Sequence, residues 1–68
     1  MRIRYDPETD AMYITLRKDK VERTQEADKD TIIDFNKDNQ VIGVELLFVK
    51  ERNPDLLKDF RAEKIISA

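Results

Sequence analysis

Apolar and polar side chains alternate in short runs over the first thirty-five residues, and clusters rich in Asp, Asn, Lys or Pro separate the runs. A run of five to seven residues is too short for a helix with its own buried face. A two-residue period places alternate side chains on opposite faces of an extended chain. The N-terminal half is therefore restricted to strands. Met1–Tyr5 alternates strictly, with Arg2 and Arg4 on one face. Asp6–Asp10 reads as a turn in which Pro7 presets φ and the Asp side chains satisfy local backbone donors. Ala11–Leu16 is the second strand, with Met12, Ile14 and Leu16 on one face. Arg17–Lys20 suits a hairpin loop. Val21–Ala27 is the most polar segment and belongs near an edge or with one face in water. Asp28–Asp30 turns the chain into Thr31–Phe35, with Ile33 and Phe35 inward. In the turn at Asn36–Gln40, Asn or Asp can adopt the left-handed conformation.

Val41–Val49 is the longest apolar run. Its β-branched residues and flanking turns predict a fifth strand buried on both faces. Ile42, Val44, Leu46 and Phe48 lie on one face, and Val41, Leu47 and Val49 on the other. The pattern then changes. Asn53 is a good N-cap and Pro54 fits a first helical position. Asp55 complements the helix dipole, and Leu56, Leu57 and Phe60 share a face. These features predict a short amphipathic helix over 54–62. Ile65 and Ile66 form an apolar tail.

Short loops between successive strands predict an α+β fold: a small antiparallel β-meander of four to five strands (residues 1–49) with a short C-terminal helix. Residues 1–68 form one domain. A chain of 68 residues buries only about 60% of its unfolded surface. One short helix covers only part of a five-stranded sheet, so apolar surface remains. Association across a two-fold axis is the natural way to bury it. A homodimer is expected, with Phe48, Leu56, Leu57 and Phe60 at the interface.

The composition argues against several chemistries. Cys and His are both absent. No thiolate is available, and the commonest general base and metal ligand is missing. Hydroxyls lack a recognisable activating partner. Charges are mixed: residues 1–23 carry six basic and five acidic groups, and net charge is −2. Arg17, Lys18 and Lys20 form at most a modest basic patch, and nucleic-acid binding is not expected. No run of about 18 apolar residues and no signal-peptide core is visible, so a cytoplasmic protein without membrane spans is expected.

Two motifs invite a metal. From Asp34 to Glu45, oxygen-bearing side chains recur at the ligand spacing of an EF-hand loop. Strand-like flanks and Asn39 at the usual Gly position oppose that assignment. Asp6, Glu8 and Asp10, with Asp28 and Asp30, form a second carboxylate set that could hold Mg²⁺ or serve acid–base chemistry. Each lies in an expected turn, where solvated carboxylates are ordinary. The expectation is no enzyme, no catalytic residue, no cofactor and no metal site. The alternative is a small metal- or ligand-binding protein using these Asp-rich loops.

The order of landmarks resembles a known family. Tyr5-Asp6-Pro7-Glu8-Thr9-Asp10-Ala11-Met12-Tyr13-Ile14 is followed by Val21, Thr24 and Glu26, then Ile33-Asp34-Phe35, and then Val41-Ile42-Gly43-Val44-Glu45-Leu46-Leu47. Over residues 1 to about 50 this looks like the prokaryotic domain-of-unknown-function family 2283. Met12 replaces its usual Leu, Asn39 its common Gly, and Val44 its Ile. The resemblance implies a small antiparallel sheet. It also implies an antitoxin-like role with a toxin as partner, since members are often encoded beside small toxin-like genes. It supplies no catalytic residue. Asp6, Asp10 and Gly43 match family positions and read as structural: the two Asp organise the first hairpin, and Gly43 permits a bulge or close packing.

Overall fold

The computed structural model describes residues 1–55 and 66–67. Five antiparallel strands form one sheet: β1 (Arg2–Asp6), β2 (Ala11–Thr15), β3 (Arg23–Asp28), β4 (Thr31–Phe35) and β5 (Val41–Leu46). A four-residue helix, α1 (Val49–Arg52), follows. A two-residue strand, β6 (Ile66–Ser67), pairs in parallel with β1, so half of the apolar tail becomes an edge strand. The fold is α+β and antiparallel in its main body, as the alternation predicts.

The strand order is β3-β4-β5-β2-β1-β6. Successive strands pair except at two connections, β2 to β3 and β5 to β6, the latter passing through α1. β2 lies beside β5, and residues 16–22 cross the end of the sheet to reach β3 at the far edge. The expected hairpin at Arg17–Lys20 is therefore a crossover. Backbone geometry forces the departure: Leu16 and Arg17 both donate their N–H to the Ile42 carbonyl, at 2.9 and 3.2 Å, which turns the chain out of β2. Asn36 then holds the crossover by donating to Asp19 at 3.0 Å. Leu16, expected beside Met12 and Ile14, lies past the strand and is exposed.

The sheet has two unlike faces. Directly opposed residues share a face, so Ile3, Ile14, Val44 and Ile33 form one apolar row across four strands, and Tyr5, Met12, Leu46 and Thr31 form the next. Arg4, Tyr13, Glu45, Ile32 and Glu26 cross the other face. Among the described residues the buried apolar side chains are Met12, Ile42 and Val49. The rest of the apolar face is only half-buried. β3 is fully exposed along its length, as its polarity predicts.

Strand five is shorter than expected and is not buried on both faces. Val41 is exposed, Ile42 and Gly43 are buried, and the rest of the strand is half-buried. Leu47 N–H donates to the Asp30 carbonyl and Val49 N–H to the Asp10 carbonyl. These bonds pull the chain off the ladder after Leu46. Phe48 makes the turn with φ 54° and ψ 45°. It therefore leaves the face formed by Ile42, Val44 and Leu46. Pro54 and Asp55 are helical, as the Asn-Pro signal predicts; the remainder of the expected helix 54–62 lies outside the described residues.

Candidate functional site

Three polar constellations and one exposed aromatic are built on this frame. The first seats α1. Asp10 ends the first turn in the left-handed conformation, φ 56°. Its carboxylate accepts the Tyr5 hydroxyl at 2.6 Å and the backbone N–H groups of Lys50 and Glu51 at 2.8 and 3.3 Å. Its carbonyl takes the Val49 N–H. The first three N–H groups of α1 are thus satisfied by a residue forty positions away. Phe48, in the cap position, contributes no side-chain bond. Burial opposes ionisation of Asp10, but the hydrogen bonds from Tyr5, Lys50 and Glu51 and the Lys50 charge bring its carboxyl below the usual range. The Tyr5 phenol is pushed up to about 12, first by its bond to Asp10, then by burial and the Asp10 and Asp6 charges.

The second constellation lies on the polar face. Tyr13 donates to Asp34 Oδ2 at 2.5 Å, and Thr24 donates to Asp34 Oδ1 at 2.7 Å. The Tyr13 side chain reaches Asp34 across Gly43, which stands opposite Asp34 on β5. A Cβ at position 43 would lie 2.7 Å from Tyr13 Cζ and closer still to its hydroxyl oxygen. The chain's one glycine therefore leaves room for a phenol. A bulge sits beside it, where Asp34 pairs with Gly43 and Phe35 with Val41. Of the roles expected of Gly43, close packing is met, and Ile42 is the extra residue of the neighbouring bulge. Burial, the Asp34 bond and the Asp34 and Glu45 charges raise Tyr13 to about 12, with Arg4 opposing.

The third constellation organises the β4–β5 turn. Asn36 is buried. Its side-chain carbonyl accepts from the Asp38 and Gln40 N–H groups, and its amide donates to Gln40 and Asp19. Asn39 adopts φ 63°, as a left-handed turn residue should. Asp19 is lowered below the usual range, first by the Lys20 N–H and then by Asn36.

The expected metal-type carboxylates are placed as follows. Asp6, Glu8 and Asp10 share the end of the sheet with Asp28 and Asp30, but the 47–52 segment binds to both turns. Asp6 accepts the Glu8 N–H, Asp28 accepts the Lys29 N–H, and Asp30 pairs with Arg52 at 3.0 Å. Asp34 and Glu45, the ends of the EF-hand-like spacing, both lie on strands, and Asp34 is taken by Tyr13 and Thr24. Among the described residues no three Asp or Glu side chains converge as a metal site.

Of the expected interface residues, Phe48 is 48% exposed. It lines an open notch of about 440 Å³ with Lys29, Asp30, Glu51 and Arg52. Leu56, Leu57 and Phe60 lie outside the described residues. The Tyr5–Asp10 and Tyr13–Asp34–Thr24 bonds and the capping of α1 are not legible in the residues alone. The one available signal was the lone Gly in an apolar strand, which marks a close approach without naming its visitor.

The arrangement is that of a small α+β protein in which Tyr5, Tyr13, Asp10, Asp30 and Asp34 are bonded to groups of their own chain. The family model described as "Protein of unknown function (DUF2283)" matches residues 2–50, and the chain belongs to that family. No curated protein and no solved structure matches the chain. No helix among the described residues is long and apolar enough to cross a membrane.

Proposed function

We propose that this protein is a non-enzymatic interaction module that acts as a homodimer, with an antitoxin-like role toward a protein partner in a prokaryotic cytoplasm. Phe48 carries the reading. Holding a bulky L-residue in the left-handed region costs roughly 1–2 kcal/mol, and here that cost keeps an aromatic ring half in water beside a notch. Such outliers persist where the surrounding structure enforces them, and they cluster at functional surfaces. Aromatic side chains are also the common anchors of protein interfaces.

The chemistry of the polar groups favours this reading over a metal- or ligand-binding one. Asp6, Asp10, Asp19, Asp28, Asp30 and Asp34 all accept bonds from their own chain. Phenols that keep their protons to about pH 12 are poor bases at neutral pH.

Light scattering over a concentration series tests the reading. The expected mass is twice the 8.1 kDa chain, and Phe48→Asp should lower it toward the single chain without loss of strand signal. A constant mass near 8 kDa at high micromolar concentration would overturn the homodimer.

A further inference from the structure

Resting on the homodimer reading, we infer that the two copies join through β3, edge to edge and antiparallel about a two-fold axis at Gln25, to make one continuous sheet. Among the described residues β3 is the long open edge. The opposite edge is occupied by the two-residue β6, too short to template another strand. All six β3 residues are exposed.

The charge pattern selects the register. Against β4, Ala27 is the extra residue of a bulge, because Glu26 pairs with Ile32 and Asp28 with Thr31. The ladder positions are therefore Arg23, Thr24, Gln25, Glu26 and Asp28, five in all and centred on Gln25. Antiparallel self-pairing about that centre sets Gln25 against Gln25, Thr24 against Glu26, and Arg23 against Asp28 of the second copy. Just beyond the ladder, Glu22 meets Lys29. Two opposite-charge contacts arise and the symmetry doubles them; to make its own, Arg23 exchanges its exposed bonds to Gln25 and Asn39, at 2.7 and 3.0 Å, for the Asp28 carboxylate. Arg23 and Asp28 project from the same face, since Arg23 opposes Phe35 and Asp28 opposes Thr31. A two-fold axis normal to the sheet keeps equivalent faces together, so this contact is geometrically allowed.

The neighbouring registers are repulsive. Centring on Thr24 sets Glu22 against Glu26, and centring on Glu26 sets the two Glu26 side chains against each other. Charges and a bulge on an edge ordinarily discourage pairing. Here they leave one register open and close those beside it. The pairing also reaches the Phe48 notch. Lys29 lines that notch, so Glu22 and the neighbouring Val21, 45% exposed, arrive beside it from the second copy.

The chain contains no cysteine, so a single introduced thiol reports the register. Directly opposed antiparallel residues stand about 4.5–5.5 Å apart at Cα, within disulfide reach, whereas diagonal neighbours at about 7–8 Å are not. Under mild oxidation Gln25→Cys should give a covalent dimer, and Thr24→Cys and Glu26→Cys should not. In sedimentation, Glu22→Lys and Lys29→Glu should each weaken the dimer about tenfold, and the double charge swap should restore it. A dimer that is indifferent to these changes, or that links through position 24 or 26 instead, would overturn the β3 register and leave the homodimer standing. A wild-type chain that stays at 8 kDa would overturn both.

Discussion

Tyr5–Asp10 and Tyr13–Asp34 are the same chemistry used twice. Each is a phenol donating to a carboxylate, at 2.6 and 2.5 Å, and each phenol is pushed up to about 12. They differ in what else the carboxylate holds. Asp10 also receives the N–H groups that open α1. Asp34 also receives only the exposed Thr24 hydroxyl. The value of a polar pair therefore depends on its third partner. A hydroxyl left unpaired on an exposed face can turn to water. The α1 N–H groups held by Asp10 are also exposed, so what sets Asp10 apart is that one carboxylate joins two of them to the part-buried Tyr5 hydroxyl.

Asp10→Ala should consequently have the largest effect, a loss of about 2–4 kcal/mol. It removes the Tyr5 acceptor and two bonds to α1 together, and it places Ala in a left-handed position. Asp10→Asn, which keeps an acceptor oxygen and tolerates that conformation, should cost less. Urea denaturation measures both. If Asp10→Ala cost no more than Asp34→Ala, the contrast between the two pairs would collapse.

The second prediction breaks the other pair by removing space. Gly43→Ala puts a Cβ against the Tyr13 ring, so the ring must swing off Asp34. The expected cost is about 1–3 kcal/mol. In the Tyr13→Ala background the same substitution should cost little, because the obstructed ring is gone. A full cost in both backgrounds would mean that the β5 backbone at the bulge, rather than Tyr13, requires glycine.

The same contrast explains what could be read from the residues. Strands β1 to β4 were legible because alternation is local and each turn carries Asp, Asn or Pro. Asn53-Pro54 likewise marked a helical start. The crossover after Thr15 was not legible: Arg17–Lys20 has the length and polarity of a hairpin loop, and its anchors, Ile42, Asn36 and Phe35, lie far along the chain. The apolar run to Val49 hid the turn at Phe48, because the bonds that end β5 go to the Asp10 and Asp30 carbonyls. Asp6 and Asp10 read alike as turn residues. Only the fold brings α1 to one of them.

The two phenols also sharpen the comparison at high pH. Below about pH 10 both tyrosines are protonated in the folded and the unfolded chain, and their hydrogen bonds are intact. Above that value the unfolded chain releases phenolic protons that the fold retains to about 12. Stability therefore falls between pH 10 and 12. At the acid end, Asp10 is lowered; its contribution is present above the ordinary carboxylate value and is lost as pH falls through the depressed one.

The smallest expected effect separates the causes behind the two similar phenol values. The chain has two Tyr and no Trp, so phenolate absorbance reports these groups alone. For Tyr5 the leading cause is the bond to Asp10, with burial second. For Tyr13 burial leads and the Asp34 bond is second. Removing the carboxylate charge should therefore act unequally. Asp10→Asn, measured in the Tyr13→Phe background, should bring Tyr5 most of the way back toward 10. Asp34→Asn, measured in the Tyr5→Phe background, should leave Tyr13 clearly raised, because Gly43 still seats its ring against β5. Equal return of both phenols would mean that the carboxylate alone governs each pair, and that the place of Tyr13 over Gly43 contributes packing but no electrostatic shielding.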